Sequence, residues 1–107
     1  MKNMETIIKK LKREKLNKTT IKQAGSILKK GGLVAFPTET VYGLGADGLQ
    51  KEAAAKIYEA KGRPCDNPLI IHIARKADVF HLAREVSETA CKLMDVFWPG
   101  PLTMIFE

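Results

Sequence analysis

The residues of this chain best suited to chemistry sit between Gly31 and His72, where GGLVAFPTETVYGLGAD is followed by a short helical run and then KGRPCDNPLIIHIA. Lys61 and Arg63 stand at i and i+2 around Gly62, so a turn can aim both at one ligand. Arg63 would act there as a planar fork and Lys61 as a point charge. Asn67, in an Asn-Pro turn, can donate to a phosphate. Thr38, Thr40 and Tyr42 add hydroxyls on a Pro-initiated loop, and His72 adds an imidazole. Polar groups gathered this densely between strand-like apolar runs predict a site for an anionic, phosphate-bearing ligand.

Each of these residues also has a plain structural use. A Lys/Arg pair at a helix C-terminus is favoured by the helix dipole without any ligand. Asn67 can close its turn on its own backbone, and loop threonines commonly cap turns or helix ends. His72 lies between Ile71 and Ile73, where strand alternation turns it away from both neighbours; a lone histidine there is often a satisfied structural group. Glu39 is a candidate general base or magnesium ligand, and equally a salt-bridge partner. Gly43, Gly45 and Gly48 do not form a dinucleotide fingerprint, because that motif must open a helix directly and here the helix begins later. They read as tight turns and close backbone approach.

The elements that must position these groups follow from the pattern around them. A β-branched cluster at Thr6, Ile7 and Ile8 predicts a short strand over 5–11. Thr20 is a candidate N-cap for a helix over 20–30, with Ile21, Ala24, Ile27 and Leu28 at helical spacing before Gly31 and Gly32. Leu33 to Phe36 reads as a buried strand ending at Pro37, with PTETVYGLGADG as the loop it delivers. Lys51 to Ala60 is an alanine-rich helix stopped by Gly62 and Pro64. Leu69 to Ala74 reads as a second buried strand. Asp78 is placed to cap a helix carrying Val79, Leu82, Ala83 and Val86, and Ser87 to open another through Phe97. Trp98-Pro-Gly-Pro breaks that helix and anchors a turn against the core. Leu102 to Phe106 reads as a further strand. Alternating strands and helices imply an α/β layer structure with function on the loops at strand ends. The abrupt stop at Glu107 implies an incomplete domain.

Composition narrows the class. A chain of 107 residues with 45% apolar content suits one small soluble domain or a piece of a larger one. Neither a membrane span nor a secretion signal is present in the sequence, which reads as cytoplasmic. Cys65 and Cys91 have neither Cys-x-x-Cys nor zinc-ligand spacing, so reduced thiols are expected and no metal site is indicated. The net charge of +6 is uneven: residues 1–30 carry ten Lys/Arg against two Glu, whereas residues 31–107 carry eight Lys/Arg against ten Asp/Glu. Residues 1–19 therefore read as a basic arm, able to contact RNA phosphates or simply to serve as a solvated, solubilising face.

Three motifs occur in order: FPTETVYGLG, then K-x-R-P with N-P-L and a following H-I, then WPGPLT. Together they resemble the YrdC family, the threonylcarbamoyl-AMP synthases of tRNA modification, over 20–107. The resemblance implies a YrdC-like twisted mixed sheet with flanking helices, of which this chain is the N-terminal portion; a later Ser-x-Asn motif of the family has no counterpart before Glu107. It implies joining of L-threonine, bicarbonate and ATP into threonylcarbamoyl-adenylate with release of pyrophosphate. Mg2+ is expected with the ATP, and partner proteins then transfer the group to a tRNA adenosine. It assigns Lys61 and Arg63 to catalysis, Lys61, Arg63 and Asn67 to ATP, and Thr40 and His72 to L-threonine. Two other readings stay open: an RNA-binding module using the basic arm, and a relative catalysing another carbamoyl transfer. Few aromatics lie outside apolar runs, so the RNA reading has no obvious base-stacking platform. A sheet lacking its later strands would also leave an edge through which the fragment can dimerise.

Overall fold

The computed structural model describes residues 5–62 and 68–107 and divides the chain into two units, Met1–Asn67 and Pro68–Glu107. In the first unit, helix α1 (Lys18–Lys29) begins two residues earlier than the sequence predicts. Its cap is Asn17 and not Thr20: Asn17 Oδ1 accepts from the N–H groups of Thr19 at 2.9 Å and Thr20 at 3.2 Å. Those are the N2 and N3 donors that a helix start leaves without intrahelical partners. The helix closes in a Schellman arrangement, with Gly31 N–H on Leu28 O at 3.0 Å and Gly32 N–H on Ile27 O at 2.8 Å. Gly31 takes φ 87°, where an L side chain is strained.

Strand β1 (Val34–Phe36) follows and pairs antiparallel with β2 (Gly43–Gly45) in the register Val34 to Gly45, Ala35 to Leu44 and Phe36 to Gly43. The loop expected over PTETVYGLGADG therefore contains a strand, and Gly43 and Gly45 serve close approach rather than tight turning. A Cβ on Gly43 would lie 2.8 Å from Phe36 Cζ, and one on Gly45 3.1 Å from Phe36 Cε1. The Phe36 ring thus covers the face that the glycines leave bare, which restores contact area to a strand with few side chains. Helix α2 (Lys51–Lys61) ends at Gly62, in the left-handed region at φ 63°. Its inward face is Ala53 and Ile57, four residues apart and both buried.

The strand expected over 5–11 is absent. Those residues are exposed and the nearest pairing is an isolated bridge between Lys12 and Lys15. β-branched residues favour extended backbone, but without a partner ladder they do not make a strand.

In the second unit a 3-10 turn (Lys76–Asp78) leads into the four-residue helix α3 (Val79–Leu82), and α4 (Glu88–Phe97) follows. Asp78 makes no side-chain cap, and the helix stops before Ala83 and Val86. The reason is visible at Arg84, whose N–H donates to Glu107 O at 2.5 Å; a continuing helix would have directed it to Phe80. Ser87 caps α4 as its position predicts, its Oγ accepting from Ala90 N–H at 3.1 Å. Val79, Ala90 and Met94 form the buried core of this unit. Trp98 Nε1 donates to Leu102 O at 2.9 Å, pinning the Trp-Pro-Gly-Pro turn in which the Trp98–Pro99 bond is cis.

Neither Leu69–Ala74 nor Leu102–Phe106 is a strand among the described residues. Leu102–Phe106 nonetheless keeps the strand period in its burial: Leu102, Met104 and Phe106 are half-buried, while Thr103 and Ile105 are exposed. It has the alternation of a sheet segment and no ladder. The architecture is mixed α/β, and the described residues form four helices and a two-stranded antiparallel sheet. No helix of the described residues is long and apolar enough to cross a membrane.

Candidate functional site

The turn between β1 and β2 carries the first group of predicted site residues. Thr38 organises it: its Oγ1 donates a short hydrogen bond to Val41 O and accepts from Thr40 N–H at 3.2 Å. Its hydroxyl is consumed in holding the loop, the commoner use of threonine in a turn. Thr40 differs, since its Oγ1 has no partner among the described residues and stands exposed. Val41 and Tyr42, each 74% exposed, project from the same turn. Glu39 is exposed and enters no ion pair among the described residues.

A second set of contacts, which motif reading missed, fixes α2 against the end of α1. Gln50 Nε2 donates to Lys29 O and to Asp47 Oδ2, both at 2.9 Å. Lys56 Nζ donates to Gly31 O at 2.7 Å. These side chains satisfy carbonyls at the close of α1, groups a helix end leaves without intrahelical donors. Asp47 also accepts from Leu49 N–H at 3.0 Å, an Asx-type turn. That backbone donor, with Gln50 second, holds its carboxyl below the usual carboxylate range. The Asp-Gly pair ahead of the helix was the available signal for a turn; nothing local in the sequence pointed to the reach of Gln50 and Lys56.

Lys61 is the last residue of α2, exposed, its ammonium without a partner among the described residues. Gly62 turns the chain immediately after it. Arg63 and Asn67, the other predicted phosphate ligands, lie outside the described residues, as does Cys65.

His72 belongs to the second unit and is exposed. Its Nδ1 lies 3.0 Å from Ile70 O. A carbonyl only accepts, so Nδ1 carries the proton and a neutral ring leaves Nε2 free to accept. The structural and ligand readings of His72 are thus compatible: one nitrogen holds the ring, and no partner of the other is seen among the described residues. This unit has its own concavity of about 460 Å³ between α4 and the 104–107 segment, and none of the predicted site residues lines it. Cys91, half-buried in α4, is a free thiol.

The profile of the Sua5/YciO/YrdC family, described as telomere recombination, matches residues 26–107. The chain belongs to this family. It is 54% identical over 93 residues to the threonylcarbamoyl-AMP synthase of Pyrococcus abyssi, covering 87% of this chain and 27% of the relative. It is also 54% identical over 89 residues to the Bacillus subtilis enzyme of that name, covering 83% and 26%. Among solved structures, a double variant of P. abyssi Sua5 superposes with a TM-score of 0.78 at 54% identity, over 83% of this chain and 27% of the other. P. abyssi Sua5 in complex with L-threonine gives 0.76 at 53% identity, over 81% and 26%. The chain thus spans about a quarter of the length of these two relatives. The profile match includes the hairpin, α2 and α4, and begins at residue 26.

Proposed function

We propose that the chain contributes part of the active site of a threonylcarbamoyl-AMP synthase, with residues 20–107 forming the N-terminal portion of its YrdC-like domain. The observation that carries the reading is the 54% identity to enzymes of that name, over 93 and 89 residues. In the proposed reaction the amine of L-threonine and bicarbonate form a carbamate with loss of water. A carbamate oxygen then attacks the α-phosphorus of ATP, and the bond to the β-phosphate oxygen breaks to release pyrophosphate. Negative charge grows on the leaving pyrophosphate, and fixed cations there lower the barrier most. Lys61 and Arg63 take that role, Asn67 donates to the phosphates, and Thr40 Oγ1 and His72 Nε2 recognise the polar atoms of threonine.

Magnesium suits this step as a companion of the triphosphate. It characteristically takes ligands from phosphates, water and one or two carboxylates, and Glu39 is the carboxylate on the turn. Among the described residues no cluster of three or more His, Cys, Asp or Glu could hold a metal, so the ion is expected to arrive with ATP. The product passes to the proteins that modify tRNA in the cytoplasm.

The test is pyrophosphate release from ATP by the intact protein, with and without L-threonine and bicarbonate, beside Arg63→Ala. Release that needs both co-substrates and falls about 100-fold in the variant supports the reading. Release with another amine in place of threonine moves the assignment to a different carbamoyl transfer, and none under any condition removes it.

A further inference from the structure

The hairpin that carries Thr40 has two legs, and side chains of α2 and its cap hold both. The chain enters β1 from Gly31, whose carbonyl accepts from Lys56 Nζ at 2.7 Å. It leaves β2 at Gly45 and reaches Asp47, whose Oδ2 accepts from Gln50 Nε2 at 2.9 Å. The same amide donates to Lys29 O, just ahead of the first leg. Lys56 does more than close α1, because Gly31 lies beyond the helix and fixing its carbonyl fixes the chain on its way into β1. Ordering a four-carbon stem costs rotamer freedom that a solvated lysine keeps, and the other lysines of α2, Lys51 and Lys61, have no partner among the described residues. Thr38 organises the turn from within and the ladder joins the two legs, so the support of the legs decides where Thr40 stands. That support is the helix that carries Lys61, about 7.5 Å of helix rise beyond Lys56.

We infer that Lys56 and Gln50 are positioning residues: by holding both legs of the hairpin to α2, they set where the Thr40 hydroxyl stands relative to the Lys61 ammonium. The inference rests on the proposed function, which places L-threonine at Thr40 and the phosphates at Lys61. A carbamate oxygen formed on the one substrate must meet the α-phosphorus of the other. A helix that carries one group and fixes the support of the second sets that approach before either substrate arrives. Misplacing a reacting pair by about 1 Å can cost about 100-fold in rate. Neither side chain touches substrate in this scheme, since Lys56 is spent on Gly31 O and Gln50 on Lys29 O and Asp47 Oδ2.

The experiment follows threonine- and bicarbonate-dependent pyrophosphate release by the intact protein in wild type, Lys56→Met, Lys56→Arg and Gln50→Leu. Each is assayed at a temperature where circular dichroism shows it folded. Lys56→Met is expected to lower kcat about tenfold or more while the KM values for L-threonine and ATP change less than about twofold. Lys56→Arg keeps a cationic donor within reach of Gly31 O and should recover most of the rate. Gln50→Leu should repeat the loss of kcat at smaller size. Ile57→Val trims the buried face of α2 and leaves both contacts in place, so it controls for stability alone and should turn over as wild type does. An unaltered kcat in Lys56→Met, a loss confined to KM, no recovery in Lys56→Arg, or an equal loss in Ile57→Val overturns the inference and leaves the synthase reading standing. A wild type that releases no pyrophosphate under any condition removes both.

Discussion

Two regions of this molecule are made of similar residues and end differently. Val34–Phe36 and Gly43–Gly45 form a hydrogen-bonded ladder; Leu69–Ala74 and Leu102–Phe106, at least as rich in apolar residues, form none among the described residues. In the hairpin a six-residue turn held by Thr38 brings the partners together, and closing so short a loop costs little entropy. The two later runs are separated in sequence by a 3-10 turn and two helices, and neither has a hairpin partner close by in the chain. Apolar composition selects an extended segment, and a nearby partner decides whether it becomes a strand.

The comparison can be pressed at graded strengths. Met94→Ala removes the most buried core side chain of the second unit, 3% exposed, and should cost about 2–5 kcal/mol by chemical denaturation. If that transition leaves a tryptophan-free probe of the hairpin unmoved, the two units melt independently. Gly43→Ala forces a methyl group against the Phe36 ring and should cost about 1–3 kcal/mol. Adding Phe36→Ala should make the second change much less than additive, and strict additivity in that cycle would remove the ring contact from the account. Lys56→Met takes a cationic donor from Gly31 O and is expected to cost about 1.5 kcal/mol, with Lys56→Arg recovering part of it in the same melt. Ile105→Thr, at a position 97% exposed, should stay within about 0.5 kcal/mol; a large loss would mean that Leu102–Phe106 has a partner after all.

The smallest effect is on pH. Asp47 has its folded pKa lowered below 3.8 by the Leu49 N–H and then Gln50. Its contribution is present above that value and is lost as pH falls through the lower folded value. Asp47→Asn should therefore lower stability slightly at neutral pH, with the difference from wild type shrinking as pH falls below 3.8 and vanishing at the lowest pH, as thermal melts across that range would record.

The helices were the legible part of the fold. α1, α2 and α4 announce themselves by periodic apolar residues and by glycine or serine at their ends, all local signals. Asn17 displaced Thr20 as a cap because it stands one turn upstream with its carboxamide free to accept two N–H groups. The missing strand at β2 hid in glycines, whose side-chain-free pattern reads as a turn until Phe36 is seen covering them. α3 stopped short because Arg84 N–H found Glu107 O, a bond between residues far apart in sequence. In the candidate site, residue types offered Thr38, Thr40 and Tyr42 alike and the family resemblance singled out Thr40 and His72; the structure has the Thr38 hydroxyl spent on its turn and the Thr40 hydroxyl without a partner among the described residues. The Gln50 and Lys56 contacts could not be read in advance, since each joins groups more than twenty positions apart.

Those two contacts also make the hairpin a tethered loop. Lys29 and Gly31 are gripped from the far side by Gln50 and Lys56, so the stretch between leaves and returns to the same place. A protease cutting once between Val41 and Tyr42, both highly exposed on the turn, would sever the covalent chain and leave both new ends moored. The nicked protein should run as one species under native conditions and as two only when denatured.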